Sequence, residues 1–233
     1  MQFLQSAPAD ADAELIAGAS RGEAWAFAAI MRRHNRLLFR SAQAVLGDEA
    51  EAQDVVQETY LRALTRLDTF RGESALGTWL ARIAINLALD AQRRRARTVP
   101  LADAREPESE DTEDPMTAFS APTADAPDQA AERSEVRELL QRAIASLPPI
   151  YRSVFMLRAV EELSVDETAY CLQVSDAVVK TRYLRARALL RDALGTQVEP
   201  HVQEVYAFAG ARCDAIVSEV LSALRRQGRI APG

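Results

Sequence analysis

Residues 164–191 read SVDETAYCLQVSDAVVKTRYLRARALLR, two short helical patterns parted by Gln173-Val174-Ser175. In the first pattern, Val165 to Leu172, Ser164 stands at the N-cap and Glu167 follows three residues on, the spacing of a capping box. The second begins after Ser175, another good N-cap, with Asp176 in its first turn, where the helix dipole favours an acid. On a wheel of 100° per residue, Val179, Tyr183, Ala186 and Leu190 share one face. Thr181, Leu184, Arg185 and Ala188 lie opposite, flanked by Lys180, Arg182 and Arg187. From Lys180 to Arg191 there are five basic residues and no acidic one. Such a helix suits a major groove, its flanking cations meeting phosphates and its outer face meeting base edges. It also suits an ordinary surface helix with a solvated basic face, and this stretch alone leaves both readings open.

The rest of the composition narrows the choice. A chain of 233 residues that is 48% hydrophobic has room for packed cores in one large or two small domains. No run of about 18 apolar residues is present, so the expectation is no membrane insertion. The first residues, MQFLQSAPADADAEL, lack the basic and apolar regions of a secretion signal, and the chain reads as cytoplasmic. Cys171 and Cys213, with His34 and His201, make no metal-ligand spacing, so no metal and no cofactor are expected. Cys171, inside an apolar helical pattern, reads as a buried free thiol. No nucleophile–base pair or phosphate-binding glycine loop is visible, which argues against an enzyme. The net charge of −6 is unevenly spread, because residues 103–135 hold 11 acidic and 2 basic side chains. With that segment set aside, the balance becomes +3.

Upstream, helices are expected over Ala13–Ala19 and Glu23–Leu46, the second carrying Trp25, Phe27, Ile30, Met31, Leu37, Leu38, Val45 and Leu46 as core residues. A third, Asp48 to Leu67, turns Ala52, Val56, Tyr60, Ala63 and Leu67 inward and gathers Asp54, Gln57, Glu58 and Leu61 elsewhere. A leucine among two carboxylates and an amide is either solvated surface or a partner-docking face. A loop at Arg71-Gly72-Glu73-Ser74 then leads, with Ser74 as N-cap, into a helix running to about Arg95. Its apolar residues surround it, so it should be largely buried, with Asn86 and Asp90 near the Trp79–Ile83 stripe in need of partners. Arg93, Arg94, Arg95 and Arg97 close it; four cations exceed what the helix dipole requires and suggest a phosphate track.

DVVQETYLRAL followed by FRGESALGTWLARIAINLALD resembles region two of the sigma-70 family, and Leu147 to Arg191 resembles region four. The order and compactness of the two blocks, which cover about Asp12–Arg97 and Ala131–Leu194, point to the extracytoplasmic-function (ECF) sigma factors of bacterial RNA polymerase. The resemblance implies an all-α fold of two small helical domains, at 12–97 and 131–195, joined by a flexible acidic linker at 98–130 and followed by a helical extension at 196–233. It implies core polymerase and promoter DNA as partners, and an anti-sigma factor as regulator. Asp54, Gln57, Glu58 and Leu61 would then grip the polymerase. Arg71, Gly72, Glu73, Ser74, Ala75 and Leu76, with Asn86, would capture an unstacked base of the −10 element, while Arg93 and Arg94 hold phosphates. Lys180, Thr181, Arg182, Leu184, Arg185 and Arg187 would read the −35 element. Trp79 fits better as core beneath the loop than as a stacking platform.

Some positions depart from the family pattern. Gly77 stands where a larger aromatic or basic residue is common, Gln173 replaces the glycine of the helix-turn-helix turn, and Glu161-Glu162 replace a glycine-containing turn. If the turn is kept, Gln173 holds a positive φ at a cost of about 1–2 kcal/mol. Two other functions remain to be weighed. A sigma mimic that titrates an anti-sigma factor would not need Arg185, Lys180 or the Arg93–Arg97 run, and a helix-turn-helix regulator independent of polymerase leaves the region-two block unexplained. Finally, Cys213, Ile216, Val217, Val220, Leu221 and Leu224 form one apolar stripe between Gly210 and Gly228, preceded by Tyr206 and Phe208. A helix of about four turns cannot stand alone in water: this one either packs permanently on region four, the favoured reading because so much apolar surface is costly to expose, or docks reversibly where region four meets the polymerase or DNA.

Overall fold

The computed structural model describes residues 9–98, 129–194 and 211–231. The acidic segment, together with Tyr206 and Phe208, lies outside them. Four helices come first: α1 (Ala9–Ser20), α2 (Ala24–Leu46), α3 (Glu49–Thr65) and α4 (Leu76–Thr98), with a 3-10 turn at Leu67–Thr69. Asp48 caps α3 by accepting the Glu51 N–H. Gly47 ends α2 in the left-handed region, φ 75, which is what lets the chain reverse directly into α3. The inward stripe of α3 is buried as its spacing requires, from Ala52 through Leu67. Tyr60 at its centre donates its hydroxyl to the Met31 carbonyl, and burial raises its pKa well above the ordinary range. The crowded apolar face of α4, including Leu80, Ala84, Ile85 and Ala88, packs on α2 and α3 to close this core.

Two details differ from expectation. α4 begins at Leu76, one turn-position later than a Ser74 cap would set it: the first backbone bond runs from Trp79 to the Ala75 carbonyl. Trp25 is 51% exposed rather than core, its indole N–H held by Glu23 in the turn before α2.

The second group is α5 (Gln129–Ser146), α6 (Pro149–Phe155), a π-helical turn (Met156–Val160), α7 (Val165–Leu172) and α8 (Asp176–Leu194). Pro149 opens α6 at its first position, where no N–H is missed. Ser164 and Glu167 form both bonds of the capping box at the start of α7. Gln173 ends α7 at φ 55, so the turn keeps the glycine geometry without the glycine, and Glu162 also stands at φ 55. Leu140, Ile144, Leu147, Phe155, Met156, Ala186 and Leu190 make the core of this group.

The two groups pack on each other through α4 against α7 and α2 against α6. Arg40 and Glu161, 3% and 8% exposed, form a 2.7 Å ion pair between α2 and the end of the π turn. Arg152 reaches over to the last turn of α2, donating to the Ala44 carbonyl at 2.7 Å, where the helix dipole favours a cation. Thr78 donates to Glu167 at 3.1 Å, and the Arg82 guanidinium lies 4.3 Å from the Tyr170 ring centre. Burial works to raise the Glu167 carboxyl, but the hydrogen bonds from Ser164 and Thr78 hold it below the usual range. Cys171 is buried beside Thr78 as a free thiol, pushed up to about 12 by burial and by the Glu167 charge, which keeps it protonated and unreactive.

α9 (Ala211–Arg226) is amphipathic as expected, but it packs on α2 and α3 rather than on the helix-turn-helix. Ile216, Val217, Val220, Leu224 and Ile230 join the first core. The reason is complementarity: Asn35, itself 1% exposed, donates to the Cys213 sulfur at 3.0 Å, and Gln57 donates to Glu219. A Schellman turn, with Gly228 at φ 68 and Arg229 N–H on the Leu224 carbonyl at 2.9 Å, stops α9. Among the described residues no helix is long and apolar enough to cross a membrane.

Candidate nucleic-acid and polymerase interfaces

The helix-turn-helix sets its second helix, α8, on α7 and α6 through Val179, Ala186 and Leu190, all buried, with Tyr183 half-buried and stacked 6.2 Å from Phe155. That fixes the opposite face outward. Lys180, Thr181, Leu184 and Arg185 are exposed, Leu184 at 65% of its surface, while Arg182 and Arg187 flank the face half-buried. Arg187 leans over the Tyr183 ring, 6.0 Å from its centre, a contact that draws its charge back toward the helix shoulder. The wheel and the packing therefore agree on which side chains are presented.

The loop before α4 divides in two. Arg71, Gly72, Glu73 and Ala75 are exposed and Ser74 is half-buried, whereas Leu76 is 1% exposed and anchors the loop in the core. Gly72 takes φ 71 with open space around it, so the loop turns sharply with its backbone accessible. Phe70 and Trp79 pack 5.4 Å apart beneath the loop, Trp79 half-buried as a support. Asn86 is half-buried two turns along α4 from Trp79. Asp90 pairs with Arg93 at 3.3 Å, Arg95 with Glu51 at 3.6 Å, and Arg97 bonds the Arg93 carbonyl. These pairs are all exposed, and surface pairs of this kind contribute at most about 1 kcal/mol, so an incoming phosphate can replace the carboxylate.

Gly77 has a packing reason. It is buried, and an added Cβ would lie 2.9 Å from His34 Nδ1 and 3.3 Å from Leu37 Cδ2. Burial pushes the His34 imidazole down to about 4, so it sits there neutral. A large side chain at position 77 has no room while His34 is beneath it.

On α3 the structure separates residues that the wheel grouped. Asp54 and Glu58 line a groove of about 400 Å³ between α3 and α4, together with Glu51, Val55, Arg62, Leu87, Ala91 and Arg94. Glu58 also pairs with Arg62. Gln57 faces the other way, toward Glu219 of α9, and Leu61 is half-buried between the two sides. The Gln57–Glu219 contact joins residues 162 apart in sequence and has no local signal. Arg40–Glu161 was equally hidden, since each reads alone as a surface charge.

Comparison with known proteins gives this arrangement its context. Residues 30–98 match the sigma-70 region 2 model and residues 137–190 the sigma-70 region 4 model. The RNA polymerase sigma-H factor of Pseudomonas aeruginosa is 32% identical, over 78% of this chain and 93% of its own length. The ECF RNA polymerase sigma factor SigW of Bacillus subtilis is 34% identical, over 75% and 91%. Among solved structures, CnrH in complex with the cytosolic domain of CnrY is similar at a TM-score of 0.54 and 28% identity, covering 79% of this chain and 97% of that one. The chain belongs to the ECF RNA polymerase sigma factors of the sigma-70 family. It is accordingly a transcription initiation factor.

Proposed function

We propose that this chain docks on bacterial core RNA polymerase and directs it to promoters, through two domains at 12–97 and 131–195 joined by the acidic segment at 98–130. The polymerase face is Asp54, Gln57, Glu58 and Leu61. The −10 element is captured at Arg71–Ala75, with Asn86 nearby and with Arg93 and Arg94 on the backbone phosphates. A base taken from its stack forfeits a few kcal/mol, offset by contacts to its freed edge. The exposed loop backbone and the Ser74 hydroxyl can supply those contacts, while Leu76 holds the loop in place. The −35 element is read by Lys180, Thr181, Leu184 and Arg185, with Arg182 and Arg187 beside them. The chain acts without chemistry of its own, in the cytoplasm, and an anti-sigma factor restrains it. The sigma factor RpoE of Bartonella quintana, solved with the anti-sigma factor NepR, is such a pairing in another protein.

The observation that carries the reading is the α8 face: an exposed Lys180-Thr181-Leu184-Arg185 surface on a second helix whose opposite side is fully committed to packing. The polymerase assignment is tested by replacing Asp54 and Glu58 with Ala together. Holoenzyme assembly in a pull-down with purified core polymerase should fall about tenfold or more, with the melting temperature unchanged. Wild-type retention by the double variant would remove the assignment.

A further inference from the structure

The extension after region four covers part of the surface just assigned to polymerase. α9 starts 17 residues beyond the end of α8, yet it lies on α2 and α3 of the first helical group. One of the four proposed docking residues, Gln57, donates its amide to Glu219 of this helix. Further along, Asn35 of α2 bonds the Cys213 sulfur, and Arg32 approaches Asp214 at 3.9 Å. Val217 and Val220 are 3% and 1% exposed against the same core. The region 2 match ends at residue 98 and the region 4 match at 190, so α9 belongs to neither family-defining segment.

We propose that α9 is an intramolecular competitor for the polymerase-docking face, seated along its Gln57 edge and displaced when holoenzyme forms. The proposal rests on the assignment of Asp54, Gln57, Glu58 and Leu61 to that face. Asp54 is exposed and Glu58 lines the open groove on the far side of α3, so polymerase can engage that edge first. Gln57 is held by Glu219 in an exposed contact and is freed for polymerase as Glu219 lets go. A short tether presents its helix at an effective concentration on the order of 1 mM, so an intrinsic affinity of about 0.1 mM lowers polymerase affinity about tenfold. The same contact fastens the end of the region-four half to region two. Loosening α9 therefore frees the docking edge and one of the ties between the halves.

The test is a titration of the full chain with core polymerase, using Val220→Asp to break the buried stripe and Glu219→Ala to release Gln57 without touching the core. Val220→Asp should bind about tenfold more tightly than wild type and Glu219→Ala about two- to threefold, with helical circular dichroism retained for Glu219→Ala and lowered for Val220→Asp by no more than the 16 residues of α9. A folded Val220→Asp chain with wild-type or weaker affinity overturns the proposal. If Val220→Asp does not fold, an unchanged affinity for Glu219→Ala overturns it instead. Adding Asp54→Ala and Glu58→Ala to each chain separates the two ideas. If these abolish binding while neither α9 variant strengthens it, the docking face stands and the α9 proposal falls. If they leave binding intact in every chain, the face assignment falls and the α9 proposal with it.

Discussion

At the scale of single residues, this chain shows two ways of departing from a family pattern. Gln173 and Glu162 hold left-handed backbone that glycine would adopt freely, so strain is tolerated where the turn is needed. Gly77 is the reverse, a missing side chain that His34 makes necessary. Helix propensity alone would favour Ala over Gly by about 1 kcal/mol. The Cβ would nonetheless press on a buried ring and on Leu37, and overpacking of that kind costs about 1–3 kcal/mol. Gly77→Ala should therefore lower the melting temperature by a few degrees, with recovery when His34→Ala is added. A Gly77→Ala protein that melts at or above wild type would show that the ring yields. The sequence exposed the absence at position 77 but not its cause, because His34 and Gly77 meet only in the folded packing of α2 on α4.

At the scale of elements, the proposed −35 face of α8 places its cations in different settings. Arg185 projects from the centre of the face, while Arg187 leans on Tyr183 at its shoulder. Arg185→Ala should cost about 1–3 kcal/mol at one promoter position and relax preference there. Arg187→Ala should weaken all sequences alike and lessen the salt dependence of binding, as loss of a phosphate contact does. Binding measured over −35 variants at two salt concentrations separates these outcomes, and uniform loss for both would mean the helix enters the groove at another angle. This helix was legible in advance because its period, caps and charges all refer to residues within one turn. So was the inner stripe of α3. The placement of α9 was not: its stripe said that it must be buried but not where, since an apolar face carries no address. The partners that direct it, Asn35 and Gln57, lie on elements far away in the chain and look like ordinary polar residues.

At the scale of the whole molecule, the two halves meet through contacts of unequal kind. Arg40–Glu161 is buried on both sides and tightly paired, whereas Thr78 on Glu167 joins a buried hydroxyl to a half-buried carboxylate and Arg82 over Tyr170 joins two half-buried side chains. Both proposed DNA-reading surfaces, the Arg71–Ala75 loop and the α8 face, remain open while the halves are packed together. That this chain gives polymerase a promoter preference is tested by run-off transcription with purified core polymerase over a library of promoter fragments. The wild-type chain and Val220→Asp would be assayed side by side. Defined transcripts are predicted from a subset of fragments sharing −35 and −10 sequences, with Arg185→Ala broadening the −35 choice. No transcript above core polymerase alone, from any fragment and with either chain, would contradict it.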